Sequence, residues 1–284
     1  MSLSRLFVWL QYLMPQHALS RLTLRATRVR APWFKNCLVR AFLRLYTVEM
    51  SEAAEPDPLR YASFNEFFTR ALKAGTRPIA QQPHDIACPV DGVISEAGSI
   101  DGGTLVQAKG RCYALGELLA ARPWASRFEG GCFATIYLAP FNYHRVHMPL
   151  SGQLKETVYV PGRLFSVNAA TAAYVSRLFA RNERVLTLFD TAFGEFALVL
   201  VGALNVGSIA TVWSGDITPA AQRVVSVLPP QHVVLQKGAE LGRFNMGSTV
   251  ILLLPPARAA WLATLTPAAR LRVGATLGHM TRAP

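Results

Sequence analysis

Acidic side chains are absent from the first 48 residues, although the 284-residue chain carries 17 of them. That segment holds eight bases, Arg5, Arg21, Arg25, Arg28, Arg30, Lys35, Arg40 and Arg44, and so supplies most of the formal net charge of +12. Cysteine is scarce. Cys37, Cys88, Cys112 and Cys132 are scattered without a CxxC pair, which excludes a disulfide framework and reads as ordinary buried thiols of a reducing compartment. The six histidines form no zinc pattern with them. His144-x-x-His147 has no cysteine or carboxylate ligand nearby in sequence, so no metal is expected. No stretch reaches the roughly 18 uninterrupted apolar residues of a spanning helix. A cleaved leader is not expected either, because Gln11 and Tyr12 interrupt the run Leu6 to Met14 and Pro15-Gln16-His17-Ala18 is a poor cleavage site. Low-complexity tracts and nucleic-acid-binding motifs are missing.

About half of the residues are apolar, enough for a sizeable core in one or two domains. In the basic segment, Leu3, Phe7, Leu10 and Met14 recur at helical spacing and Pro15 stops that helix. Leu19, Leu22, Ala26 and Val29 predict a second helix. Phe34, Leu38, Phe42 and Leu45 predict a third, with Lys35, Arg40 and Arg44 off its stripe. Basic amphipathic helices too short to span are expected to lie in a membrane interface, and their arginines favour an anionic, cytoplasmic-side leaflet. Packing on the core with solvated arginines is the alternative. Nucleic-acid binding is not expected, since the aromatic residues fall on the apolar stripes rather than among the bases.

Glu49 to Pro58 is an acidic connector that divides residues 1–48 from a body over 49–284. A short helix is predicted over Phe64–Leu72, capped by Ser63. Strand signals then dominate, at Phe133–Leu138, Val185–Phe189, Ala197–Val201, Ser208–Trp213, Val233–Gln236 and Thr249–Leu254. Helices are predicted at Leu115–Ala121 and Ala169–Leu178. Strands and helices do not alternate, so the expectation is an α+β fold: a mainly antiparallel, β-sandwich-like core with flanking helices and an N-terminal amphipathic region.

Ser248 follows Gly247 at the mouth of the apolar strand run ending at Leu254. A Gly-Ser-Thr triplet there is ordinarily a turn, and Asp91-Gly92 is an ordinary turn pair. Glycine also lets a nucleophile approach its carbonyl closely, while a serine hydroxyl needs a base beside it before it attacks.

Four stretches, in order, resemble the bacterial, pyruvoyl-dependent (prokaryotic type I) phosphatidylserine decarboxylases. They are Phe64-Asn65-Glu66-Phe67-Phe68-Thr69-Arg70 with Arg77-Pro78-Ile79, and Pro89-Val90-Asp91-Gly92-Val93-Ile94-Ser95. Next comes Asn142-Tyr143-His144-Arg145-Val146-His147-Met148-Pro149, continued by Tyr159-Val160-Pro161-Gly162 and Leu164 to Asn168. The last is Lys237-Gly238 through Gly247-Ser248-Thr249. One departure is Met246, where the family's motif has leucine; the change roughly keeps volume and apolarity.

The resemblance implies self-cleavage between Gly247 and Ser248 into chains 1–247 and 248–284, with Ser248 becoming a covalent pyruvoyl group that serves as cofactor. It implies an Asp91-His147-Ser248 set for that cleavage. His144 is expected in acid-base help or head-group contact, and Tyr137, Ser166 and Asn168 are further head-group candidates. It implies decarboxylation of phosphatidylserine to phosphatidylethanolamine at the cytoplasmic side of the inner membrane, by a peripheral homodimer. On a regular strand His144 and His147 face opposite sides, so serving one site requires a bend near Asn142 or Pro149. Two alternatives remain at this point. One is a non-enzymatic membrane-binding or carrier-type β-sandwich, whose carrier lysine would be Lys237 beside Gly238. The other is a pyruvoyl decarboxylase of a soluble amino acid.

Overall fold

The computed structural model describes residues 3–204, 207–218, 224–228, 232–256 and 259–281. The helices are α1 (Leu3–Leu13), α2 (Gln16–Thr27), α3 (Pro32–Leu45), α4 (Phe64–Phe68), α5 (Leu115–Leu118), α6 (Ala169–Tyr174) and α7 (Leu178–Arg181). The strands are β1 (Asp85–Ala87), β2 (Gly92–Ser99), β3 (Thr104–Ala108), β4 (Arg111–Ala114), β5 (Cys132–Leu138), β6 (Arg145–His147), β7 (Gly152–Val160), β8 (Arg184–Thr191) and β9 (Gly194–Val201). They continue with β10 (Ile209–Thr211), β11 (Gly215–Asp216), β12 (Ser226–Val227), β13 (Val234–Leu235), β14 (Glu240–Phe244), β15 (Ser248–Leu254), β16 (Ala259–Trp261), β17 (Arg270–Leu271) and β18 (Thr276–Met280).

The fold is α+β and its sheets are antiparallel, as the strand-rich body predicts. The large sheet runs β12-β7-β8-β9-β15-β5-β2-β17, with β13 also on β7. A four-stranded sheet runs β11-β10-β14-β6, and β1-β18-β16 form a third. The apolar run ending at Leu254 becomes β15, buried at every position and flanked on both sides by β5 and β9. A strand buried on both faces needs this continuous apolarity. Ser248 is its first residue and pairs with Leu138.

Several helices end earlier than their periodicity predicts. Ser63 caps α4 by accepting from the Glu66 amide at 3.2 Å, but that helix stops at Phe68. The segment 169–178 breaks into α6 and α7 at Arg177, whose φ of 55° is left-handed. After α5, Ala120 and Ala121 turn left-handed at 51° and 52°. The strands expected at 208–213 and 233–236 shorten to β10 and β13.

The N-terminal helices are present; on α1 and α2 much of the predicted apolar stripe lies away from the body, whereas on α3 the stripe residue Phe42 is buried. Of the predicted stripe on α1, Phe7, Leu10 and Met14 are exposed; the side chain of Leu3 lies outside the described residues. The buried positions of α1 and α2 are Val8 and the polar Gln11, Gln16, Ser20 and Thr27. Gln11 Oε1 accepts from the Ser166 amide at 2.7 Å and Gln16 Oε1 from the Leu164 amide at 2.8 Å. Ser20 Oγ accepts from the Gly207 amide at 3.2 Å. Polar side chains thus satisfy loop backbone while apolar ones face outward. In α3, Lys35 is buried rather than solvated, and its Nζ donates to the Leu59 carbonyl at 2.6 Å. Val39 and Phe42 of α3 join Phe64, Phe67 and Phe68 of α4 in a second apolar cluster, against which Met246 packs.

Candidate active site

The site assembles where β14 turns into β15. Ser248 is fully buried and its Oγ has no hydrogen-bond partner among the described residues. Gly247 precedes it without steric need. A Cβ there would stand 3.5 Å from the Leu138 carbonyl oxygen and 3.6 Å from His144 Nε2, both ordinary contacts. Glycine at 247 is therefore not required by space.

His144 lies just before β6, which pairs with β14. Its backbone carbonyl accepts from the Phe244 amide at 3.0 Å, which sets the imidazole beside Gly247. Nδ1 is 2.8 Å from the Asn142 carbonyl oxygen, so Nδ1 carries the proton and Nε2 presents a lone pair. Nε2 is buried and without a partner. The ring leans on Phe68 at 4.2 Å between centroids. Burial pushes its pKa down to about 3, assisted by the Arg70 charge and opposed by the Asn142 carbonyl. His144 is a neutral base at physiological pH.

His147 faces other neighbours. Its Nδ1 is 2.7 Å from the Gly238 carbonyl oxygen and its Nε2 is 2.9 Å from the Tyr143 hydroxyl. Burial again lowers its pKa, against the Gly238 carbonyl and the Glu240 and Asp91 charges. Gly238 holds a left-handed φ of 81°, a turn geometry that favours glycine and aims its carbonyl at His147.

Asp91 is not hydrogen-bonded to His147. It accepts from Arg77 Nε at 3.0 Å and Nη2 at 2.6 Å, and from the Val273 amide at 2.8 Å. Arg77 also donates to Glu52 at 2.7 Å, and Glu52 receives Arg272 at 2.9 Å. Asp91 still sits near His147, because the His147 amide donates to Pro89 two residues earlier at 2.8 Å. Gly92 follows because any Cβ there would overlap the Tyr137 carbonyl oxygen. Val93 pairs with Tyr137 and Ser248 with Leu138, so the start of β2 stands two strands from Ser248, about 10 Å across the sheet.

A cavity of about 170 Å³ opens at Gly247, lined by Phe68, Tyr137, Ser166, Val167, Leu204 and Met246 among others. Of the three head-group candidates, Tyr137 and Ser166 line it. Asn168 instead caps α6, accepting from the Thr171 amide at 2.9 Å. Sequence reasoning gave no role to Phe68, Arg77 or Tyr143. All three stand inside the matched stretches; Phe68 and Arg77 meet His144 and Asp91 from other stretches, pairs no local pattern reveals, while Tyr143 meets His147 four residues on.

The family model for phosphatidylserine decarboxylase matches residues 64–279, and a second, described as PSD, matches residues 6–47. The chain belongs to the phosphatidylserine decarboxylase family. Its relatives include proteins named phosphatidylserine decarboxylase proenzyme from several bacteria. That of Methylococcus capsulatus is 50% identical over 277 residues, covering 96% of both chains. That of Bordetella bronchiseptica is 54% identical over 280 residues, covering 96% of this chain and 94% of the relative. That of Ectopseudomonas mendocina is 51% identical over 280 residues, covering 97% and 98%. The family model's match runs across both the histidine segment at 144–147 and Gly247-Ser248.

Proposed function

We propose that the chain is a proenzyme that cleaves itself at Gly247-Ser248 and then decarboxylates phosphatidylserine to phosphatidylethanolamine. The observation that carries this reading is a buried serine hydroxyl with no hydrogen-bond partner among the described residues, directly after Gly247, with the equally unpartnered Nε2 of His144 standing 3.6 Å from where a Cβ of residue 247 would lie.

Ser248 Oγ attacks the Gly247 carbonyl carbon, and the amide becomes an ester. Loss of the Ser248 α-proton then expels the upstream chain as a carboxylate. The dehydroalanine left behind takes up water and releases ammonia, leaving a pyruvoyl group at the head of residues 248–284. Once formed, that group would supply a covalent electron sink for the decarboxylation of an amine-bearing substrate.

His147, backed by Asp91, activates Ser248 in the cleavage. It does so by exchanging its Tyr143 hydrogen bond for the serine hydroxyl, and Asp91 supplies the negative charge nearby. His144 already stands beside Gly247 without any such exchange, and it moves protons for the substrate in the second reaction. The cavity bearing Tyr137 and Ser166 receives the serine part of the head group.

The outward apolar face of α1–α3 supports peripheral attachment to an anionic, cytoplasmic-side leaflet. Trp9, Leu13, Trp33 and Leu45 are 64%, 73%, 76% and 77% exposed, and a surface groove of about 630 Å³ runs between α1 and α6 along Arg5, Val8, Trp9, Tyr12 and Tyr174. Among the described residues no helix is long and apolar enough to cross a membrane. Val224, Val225, Val227 and Val234, exposed on and beside β12 and β13, offer the expected homodimer an apolar edge.

Intact mass under denaturing conditions tests the reading. The wild-type chain is expected as two fragments split before Ser248, the smaller reactive to a carbonyl reagent, and Ser248→Ala as one full-length chain. A Ser248→Ala protein that still splits would remove the proposal.

A further inference from the structure

Two arginines, Arg70 and Arg184, are buried without a carboxylate partner among the described residues, at 4% and 2% exposure. They differ in how their donors are used. Arg184 donates to four carbonyls, those of Leu118, Ala180, Asn182 and Glu117, at 2.6 to 2.9 Å. Arg70 donates only to the Phe141 carbonyl, at a long 3.4 Å, and its Nε has no acceptor. Its guanidinium otherwise rests over the Phe67 ring, 6.0 Å from the centroid. Burial lowers its pKa, yet a guanidinium does not give up its proton in a protein. A buried charge left uncompensated is costly, and an anion would satisfy it.

Arg70 lines a cavity of about 480 Å³ together with Arg77, Arg270 and Arg272. The carboxylates in that wall are already engaged: Asp91 and Glu52 accept from Arg77, Glu52 also from Arg272, and Glu49 from Ser51. Arg70 and Arg270 remain as the lining cations without an ion pair among the described residues. The same wall holds Thr47, just beyond α3, and the exposed Phe141. The cavity therefore adjoins the helix whose Trp33 and Leu45 face outward.

We propose that this cavity binds a phosphate group, with Arg70 as the buried anchor and Arg270 as the second cation. Resting on the membrane-facing reading of α3 given above, the phosphate is that of a phospholipid head group.

Calorimetry on the Ser248→Ala chain tests this without turnover, using inorganic phosphate and glycerophosphoserine as probes at low ionic strength. Both are expected to bind. Arg70→Gln on that background should weaken both about tenfold or more, the worth of a lost charge-assisted hydrogen bond, and Arg70→Lys should keep part of the affinity as a point charge. Should Arg70→Gln not fold, Arg270→Gln, on an exposed residue, is expected to weaken both probes with an unchanged melting temperature. Glycerophosphoserine binding more tightly than phosphate assigns the site to the lipid; equal affinities assign it to free phosphate. Absence of binding by both probes, or affinities unaltered in the arginine variants, would overturn the proposal. Because the assay needs no pyruvoyl group, its result is separate from whether wild-type protein cleaves and releases CO2.

Discussion

Gly247 has room for a methyl group, since the nearest atoms to an added Cβ are at 3.5 and 3.6 Å. Gly247→Ala should therefore fold with a melting temperature near the parent's while self-cleavage slows, because the methyl shields the carbonyl from Ser248 Oγ. A time course of fragment appearance checks this, and unchanged cleavage would count against attack at that carbonyl. His144→Ala is expected to cleave but to lose decarboxylation by about a hundredfold or more, whereas His147→Ala should stay whole. If His144→Ala is the variant that stays whole, the two histidines exchange roles. His144 also sets a pH dependence of stability. Its folded pKa of about 3 lies below the ordinary 6.5, so the folded state binds fewer protons in that window. The stability from the neutral ring is full above about 6.5 and is lost as pH falls toward 3. Urea denaturation of Ser248→Ala should show that slope, and adding His144→Phe should flatten it.

At the scale of elements, α1 links the surface to the site. Its Gln11 holds the Ser166 amide and donates to Thr171 Oγ1 at 3.3 Å, and Ser166 lines the cavity at Gly247. Gln11→Leu leaves a buried amide unpaired, worth about 1–3 kcal/mol. It should raise KM for a short-chain, soluble phosphatidylserine while self-cleavage continues. An unchanged KM would detach α1 from the cavity. Trp9→Ser with Leu13→Ser, by contrast, touches only the exposed face and should reduce sedimentation with anionic vesicles without altering activity on the soluble lipid. Deleting residues 1–48 would be a poor substitute, because Phe42 of α3 packs edge-on against Phe64, Phe67 and Phe68. Removing it would uncover the cluster that steadies His144 through Phe68.

On the scale of the whole molecule, cleavage after Gly247 does not free the C-terminal piece. β15 sits between β5 and β9, and β17 and β18 pair with β2 and β1. Asp91 adds a tie across the two products by accepting from the Val273 amide while Arg77 holds it in place. The Arg77 and Asp91 side chains are only 10% and 9% exposed. Breaking such a pair from one side costs about 3–5 kcal/mol. Arg77→Met should therefore lower the stability of the unsplit Ser248→Ala chain by that order in urea unfolding. A change under 1 kcal/mol would make the Arg77–Asp91 pair incidental.

Much of this was legible from residue order. The apolar run before Pro255 had to be a strand buried on both faces, and it is. The acid-free first segment had to be helical, with Pro15 dividing α1 from α2. Gly247-Ser248 and the four matched stretches marked the reacting bond and the family. Periodicity failed where a side chain's partner is remote. Gln11 read as an interruption of an apolar run and Gln16 as part of a poor cleavage site, yet both face the body, where they satisfy the Ser166 and Leu164 amides about 150 positions away. Lys35 read as lying off the apolar stripe, but it is buried and reaches the Leu59 carbonyl just beyond the connector. Asp91 and His147 read as partners, but in the unsplit chain Arg77 and Tyr143 hold them apart. Local sequence determined the elements, the reacting bond and the chemistry that bond permits. Tertiary structure alone decided which imidazole stands at that bond, which helix faces turn outward and which buried arginine is left without an anion, because each depends on contacts between segments far apart in the chain.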